Sequence, residues 1–288
     1  MERGLSLPAG EIQIWVCRDE AIDDPQLLRY YESMLCAAER ERLAQFHFAR
    51  HRHQYLVTRA LVRHVLSLYR PDIGPGLWRF GSNAHGKPEI APGLEPALRF
   101  NVSHTDGLVV MAISRQEVGI DVENTRREGE WLPVAQRFFA PVEWQDVQQR
   151  DLAQRQRRFF ELWTLKEAYV KARGTGLSLA FDSFAFRLGR PCAETLEFSA
   201  MDDCQGHWRF WSGRLLDQFC LALAAPGRVQ GPGLSLSVGE IVPGVEIRDI
   251  HCVCHWHDRF ASPLRGVALP AISRPSLTLR AAPTYQCL

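Results

Sequence analysis

The sequence has no apolar run approaching the roughly 20 residues that a bilayer-spanning helix needs, so it offers no membrane segment. It has almost no net charge: 34 Lys and Arg stand against 33 Asp and Glu, a formal +1. Bulk charge therefore predicts neither a nucleic-acid nor a membrane partner. It also lacks a paired cysteine framework. The eight cysteines, at Cys17, Cys36, Cys192, Cys204, Cys220, Cys252, Cys254 and Cys287, are scattered, as expected for reduced thiols in a cytosol. The opening "MERGLSLPAGEIQIWVCRDE" has no long apolar core of the secretory kind. These absences set the expectation of a soluble cytoplasmic protein. At 288 residues the chain has room for one large domain or two small ones.

What is present is an ordered alternation of patterns. "EIQIWVC" (11–17) alternates as a strand does, and 25–68 reads as charged helix, basic from 39 to 64. Glycines punctuate 74–88. Two strands around a turn are expected over 98–114, and "EVGIDVE" (117–123) is a further, β-branched strand. Helix is expected over 131–173 with a break at Pro141, and alternating segments then run to Ala225. The order strand–helices–strands thus occurs twice. This predicts an α+β fold of two similar α/β subdomains packed as a pseudo-twofold monomer, 1–115 and 116–225. Beyond Pro226 the composition shifts to Gly, Pro, Ser and Val, and 226–288 is expected to be a poorly structured tail. Its "HCVCHWH" compresses metal-ligand residue types into one run without the distant partner pair that zinc sites use.

Three short motifs carry chemistry. In "VGIDVE", residues two apart on a strand share a face, so Asp121 and Glu123 project together while Ile120 and Val122 face away. Neighbouring carboxylates repel unless a cation lies between them, and hard oxygen ligands suit magnesium. A solvated strand end with two acids is the ordinary alternative. In "FNVSHTDG", Ser103 and His104 on a strand turn could donate hydrogen bonds to an anion, or simply be polar turn residues. In "WTLKEAYVKARGTG", Phe160, Trp163, Glu167 and Lys171 form one helical stripe, which places Glu167 at the rim of a cleft. A Glu167–Lys171 pair is also an ordinary helix-stabilising spacing. Gly174 and Gly176 then end the helix.

The order "GKP", "FNVSH", "VGIDVE", "FFELWTLKEAYVKARGTGLS" resembles the Sfp-type 4′-phosphopantetheinyl transferases over about 39–225. That resemblance implies transfer of 4′-phosphopantetheine from coenzyme A to a serine of an apo-acyl or peptidyl carrier protein, releasing adenosine 3′,5′-bisphosphate. It implies Mg2+ bound by Asp121, Glu123 and Glu167, with Glu167 also the general base and Lys171 contacting the pyrophosphate. Lys87, Ser103 and His104 would hold the 3′-phosphate of coenzyme A, and Arg42 would meet its phosphates from the N-terminal half. Glu143 and Lys166 match family positions without a settled role. Carriers served by such enzymes belong to fatty-acid and polyketide synthases, peptide synthetases and lysine-pathway reductases. The family pattern stops before 226–288. A non-catalytic coenzyme A or nucleotide-binding module, and a metal-dependent phosphohydrolase, are the competing functions. The basic segment 39–64 lacks the aromatic interleaving of a single-strand binder, so no nucleic-acid partner is expected.

Overall fold

A computed structural model describes residues 4–93, 98–189, 196–200, 208–227, 234–249 and a two-residue strand at Arg265–Gly266. The first half opens with β1 (Glu11–Cys17). Three helices follow: α1 (Pro25–Ser33), α2 (Ala37–Ala44) and α3 (Ala49–Tyr69). The stretch expected as helix over 25–68 begins where Asp24 caps α1 by accepting a hydrogen bond from Gln26 N at 2.8 Å, with Pro25 at the first helical position, and it is broken at Cys36 and Phe48, whose extended backbones precede α2 and α3. The short hairpin β2 (Phe80–Ser82)–β3 (Pro88–Ile90) precedes β4 (Arg99–Thr105) and β5 (Leu108–Ser114), as the two-strand pattern predicts.

The second half repeats the plan. It runs β6 (Gly119–Asn124), α4 (Trp131–Phe138), α5 (Pro141–Gln148), α6 (Leu152–Arg173), β7 (Phe184–Leu188), β8 (Leu196–Ala200), β9 (Trp208–Leu215) and β10 (Phe219–Pro226). In the first half β1 pairs antiparallel with β5, and β5 with β4. In the second, β6 pairs antiparallel with β10, and β10 with β9. The two three-stranded units are equivalent strand for strand, which is the internal symmetry predicted by the element order.

Period-two alternation sorts the side chains into layers. Ile12, Ile14 and Val16 of β1, Val110 of β5, Ile120 and Val122 of β6, and Leu221 and Leu223 of β10 fill one core between the two sheets. Trp15 of β1 and Met111 of β5 face the other way, onto α3. Cys220, Ala222 and Ala224 of β10 face α6. The result is helix, sheet, sheet, helix.

The expectation of a poorly structured tail is corrected over 234–249. There β11 (Ser235–Val242) pairs in parallel with β1 from Glu11↔Ser235 to Val16↔Glu240, and β12 (Glu246–Asp249) turns back against it. A two-residue strand, β13 (Arg265–Gly266), also pairs with β11. Leu236, Val238 and Ile241 are buried, and Tyr31 on α1 donates to Pro243 O at 2.7 Å. Burial of Leu236 and Val238 on one face and Ile241 on the other, with coverage of the β1 edge, outweighs the Gly- and Ser-rich composition. The run at 251–257 lies outside the described residues.

One backbone contact fixes how α6 lies on β6. A Cβ at Gly119 would stand 2.0 Å from Ala168 O and 2.3 Å from Ala172 N, both backbone atoms of α6. Only a residue without a Cβ lets the strand and helix backbones meet there. Gly119→Ala is expected to destabilise the protein by about 2–3 kcal/mol or more, read by denaturant unfolding, because neither backbone can yield cheaply. A variant with unchanged midpoint would mean that the helix is not held by this contact.

Candidate active site

The contact at Gly119 brings the acidic face of β6 under α6. Asp121 is 4% exposed and its Oδ1 accepts two hydrogen bonds, from Lys171 Nζ at 2.6 Å and from Ser103 Oγ at 2.7 Å. Lys171 Nζ also lies 3.0 Å from Ser103 Oγ. Asp121 Oδ2 is buried with no partner among the described residues. Glu123, two residues along the same face, has its pKa pushed up to about 7, by burial first and by the charge of Asp121 second. The Arg127 guanidinium, 3.7 Å from Glu123, and Lys171 oppose that shift. Glu167 on α6 is shifted upward too, by burial and then Asp121, against the pull of Lys171. The three acids feel one another's charge, and Lys171 is the cation bonded to Asp121.

The structure therefore gathers Asp121, Glu123, Glu167, Lys171 and Ser103. His104 projects from the opposite face of β4 with its ring partly in solvent. Desolvation first and the charge of Lys171 second lower its pKa, which keeps the ring neutral at pH 7. Phe160 is buried in the helix core and Trp163 stacks on Phe159 at 5.7 Å, so the apolar end of the predicted stripe packs as expected.

The expected phosphate-holding role of Ser103 meets a different arrangement. Its hydroxyl is buried, its one hydrogen is directed at Asp121, and it accepts from Lys171 and from Val122 N at 3.4 Å. Lys87 likewise is engaged, with Glu117 at 2.7 Å and near Ala172 O at the end of α6, at 3.4 Å. Its loop is held by Asn83, which accepts from His85 N and Lys87 N and donates to Gly174 O at 2.9 Å. Gly174 has φ 63°, the left-handed cap that ends α6 as predicted. Arg42 is not brought to the cluster. It is exposed on α2, donates to Gln45 Oε1 at 3.2 Å and lies over the Phe46 ring. The arginines that do line a cleft in this half, of about 420 Å³ beside Pro88, are Arg59, Arg63 and Arg79. Sequence reasoning missed Arg63, whose guanidinium is buried against Glu39 at 2.5 Å. The helical spacing of Arg59 and Arg63, four residues apart on one face, was the available signal.

Glu143 and Lys166, unassigned from sequence, are partners of each other. Both side chains are 0% exposed and their charged atoms are 2.8 Å apart. Lys166 also donates to Phe181 O at 2.6 Å and Phe184 O at 2.7 Å, and Glu143 accepts from Ala140 N and Phe186 N. Burial pulls the Lys166 pKa down and pushes that of Glu143 up, and their mutual attraction opposes both. The pair staples the back of α6 to α5 and β7.

A divalent cation fits the acidic face by the chemistry of its donors: three carboxyls raised or crowded by one another, and the orphaned oxygen of Asp121. Among the described residues no group of three or more His, Cys, Asp or Glu is already closed around a metal position. Asp121 Oδ1 is instead held by Lys171.

Comparison with known proteins identifies the family. Residues 117–224 match the 4′-phosphopantetheinyl transferase superfamily, and residues 24–116 match the N-terminal region of 4′-phosphopantetheinyl transferases. The chain is similar to 4′-phosphopantetheinyl transferase Sfp of Bacillus subtilis, 36% identical over 162 residues, 55% of this chain and 68% of that protein. It is also similar to 4′-phosphopantetheinyl transferase HetI of Nostoc sp., 32% identical over 60% of this chain and 73% of that one. A solved holo-[acyl-carrier-protein] synthase of Thermotoga maritima aligns with TM-score 0.33 and 25% identity over 40% of this chain and 65% of its own. The chain belongs to the 4′-phosphopantetheinyl transferase superfamily and is an enzyme, a transferase, as the motif order implies. Among the described residues no helix is long and apolar enough to cross a membrane.

Two predictions follow from these electrostatics. Glu123 has a folded pKa of about 7 against 4.5 for its ordinary value, so its ionised form is disfavoured by folding. Its cost is absent below pH 4.5, grows as pH rises to 7, and is complete above that. Without added divalent cation, Glu123→Gln should stabilise the protein by up to about 3 kcal/mol at pH 8 and leave it unchanged at pH 4. Equal effects at both pH values in thermal unfolding would refute the shift. For the buried pair, Lys166→Met alone should cost about 3–5 kcal/mol, and Glu143→Gln with Lys166→Met, which removes the unpaired charge and keeps an amide oxygen as acceptor for a buried backbone N–H, should recover part of it. Chemical denaturation of the two variants measures the difference, and a double variant as weak as the single one would contradict it.

Proposed function

We propose that the enzyme transfers 4′-phosphopantetheine from coenzyme A to the serine hydroxyl of an apo-acyl or peptidyl carrier protein, with Mg2+ held by Asp121, Glu123 and Glu167. The observation that carries this reading is the convergence of those three carboxyls with Lys171 on facing surfaces of β6 and α6. When bound, the cation would offset charge on the pyrophosphate oxygens.

The protein's own residues do the rest. Glu167 would take the serine proton with its carboxylate. With the cation bound Glu167 would be ionised, the form a general base needs. The serine oxygen forms its bond to the β-phosphorus of coenzyme A as the bond from that phosphorus to the bridging oxygen breaks. The electron pair leaves with adenosine 3′,5′-bisphosphate. Lys171 stabilises that leaving charge after turning from Asp121. His104, exposed on the other face of β4, would donate to the 3′-phosphate, joined by Lys87 once it releases Glu117. Arg42, exposed on α2, would be an outlying phosphate contact. Each copy carries both halves of the site, so a monomer suffices, and we place the reaction in the cytoplasm. The partner is a carrier domain, and neither nucleic acid nor membrane has a role in the chemistry.

The test incubates the full chain with coenzyme A, Mg2+ and an apo-carrier, and reads the carrier by mass spectrometry. A phosphopantetheine adduct is expected. Bisphosphate release with an unmodified carrier would replace transfer by hydrolysis, and no turnover would replace it by simple binding. Glu167→Gln should slow transfer by about 10²–10⁴-fold while the Kd for coenzyme A changes only a few-fold by calorimetry. Loss of binding as large as the loss of rate would overturn the base assignment.

A further inference from the structure

The metal-ligand strand β6 is an edge. Its sheet runs β6-β10-β9, so among the described residues one side of β6 has no strand partner. The amides on that side nonetheless lie in the interior, where an unpaired N–H costs about 1–3 kcal/mol. Side chains of β4, from the other half of the molecule, supply the acceptors. Ile120 N donates to Asn101 Oδ1 at 2.9 Å, Val122 N to Ser103 Oγ at 3.4 Å, and Asn124 N to Thr105 Oγ1 at 3.2 Å. Asn101, Ser103 and Thr105 are all buried. Beyond the first rung, Arg99 Nε meets Glu117 Oε1 at 2.9 Å. Alternate residues of one strand thus read alternate residues at the edge of another, with a common step of two.

We propose that Asn101, Ser103 and Thr105 form a register ladder that positions the acidic strand across the seam between the two halves. Its middle rung, Ser103, also orients Asp121 and Lys171. The ladder rests on the functional reading above for its catalytic consequence, but not for its structural one. A slip of one residue along β6 would turn Asp121 and Glu123 away from α6. Three acceptors at fixed spacing oppose that slip. They also tie the position of the acids to the half that carries Lys87, so the two halves present one site instead of two loosely joined surfaces. Asn101 and Thr105 are positioning residues: they touch β6 amides, and the acids between those amides do the chemistry.

The experiment compares the full-length protein with Thr105→Val, which keeps shape but removes the acceptor, with Thr105→Ser, which restores it, and with Asn101→Ala. Hydrogen exchange of β6 amides is the readout independent of activity. Thr105→Val should speed exchange at Asn124 at least tenfold and leave Asp121 and Glu123, whose amides point to β10, protected. Transfer should lose about tenfold in kcat with KM for coenzyme A within twofold, as for supporting groups around a metal site. Thr105→Ser should restore both, and Asn101→Ala should show the same pattern at Ile120. Unchanged exchange at Asn124 and Ile120 in the two variants would overturn the ladder, whatever the activity. Faster exchange with unchanged kcat would overturn its positioning role. A wild-type protein that exchanges as described but never modifies a carrier would sink the transferase reading alone.

Discussion

The site depends on two backbones touching where a side chain is missing. Gly119 lets β6 lie against Ala168 and Ala172 of α6, with no room for a methyl group. Every distance in the acidic cluster inherits that contact. From Gly119, steps of two lead to Asp121 and Glu123 on the face toward the helix. On the helix, Glu167 and Lys171 lie either side of Ala168. Chain geometry alone then sets the acids of the strand opposite the acid and base of the helix. Lys166, next to Glu167, points to the other side, where its three ammonium hydrogens meet Glu143 and two carbonyls. One helix thus carries a balanced, fully buried ion pair on its back and an under-neutralised acidic cluster on its front.

The repeated architecture poses the question of why only one half builds such a cluster. The strand equivalent to β6 is β1, and the helix equivalent to α6 is α3. On β1 the helix-facing positions are Gln13, Trp15 and Cys17, where β6 has a carboxylate pair. Trp15 Nε1 donates to Tyr69 OH at 3.0 Å, Tyr69 in turn bonds Gln13, and the space is filled by ring and amide. Burial pushes the Tyr69 hydroxyl far up in pKa, so it stays a neutral donor. The first half spends its equivalent position on packing, and its charged groups, Glu39, Arg59 and Arg63, collect at a cleft instead.

Much of this was legible in the sequence because it is periodic. The double strand–helix–strand order predicted the two halves, and the two-residue step predicted that Asp121 and Glu123 share a face. Pro141 opens α5 and Gly174 closes α6, as backbone chemistry requires. What was not legible depends on partners distant in the chain. β11 was hidden because Leu236, Val238 and Ile241 are diluted by neighbouring Gly, Pro and Ser, and its partner β1 lies at the opposite end of the sequence. Ser103 was read as an anion donor because a hydroxyl beside a histidine suits that role. Only the fold shows that Asp121 and the Val122 amide claim it first. Lys166 and Glu143 could not be paired across 23 residues without knowing that α5 packs behind α6.

The charge balance of the cluster explains why these particular pKa values move. Asp121, Glu123 and Glu167 bring three potential negative charges, and Lys171 brings one positive charge held on Asp121. Arg127 adds little, being 3.7 Å from Glu123 and largely exposed. Burial forbids leaving the remainder uncompensated, so Glu123 and Glu167 shift toward their protonated forms. A divalent cation held there would supply the missing two charges and return both groups to the carboxylate form. In doing so it would free Lys171 to turn from Asp121 toward a phosphate. In the proposed reaction the ammonium that balances Asp121 in the resting cluster would be the same group that meets the departing bisphosphate, and the two tasks would be exclusive in time because both use one Nζ.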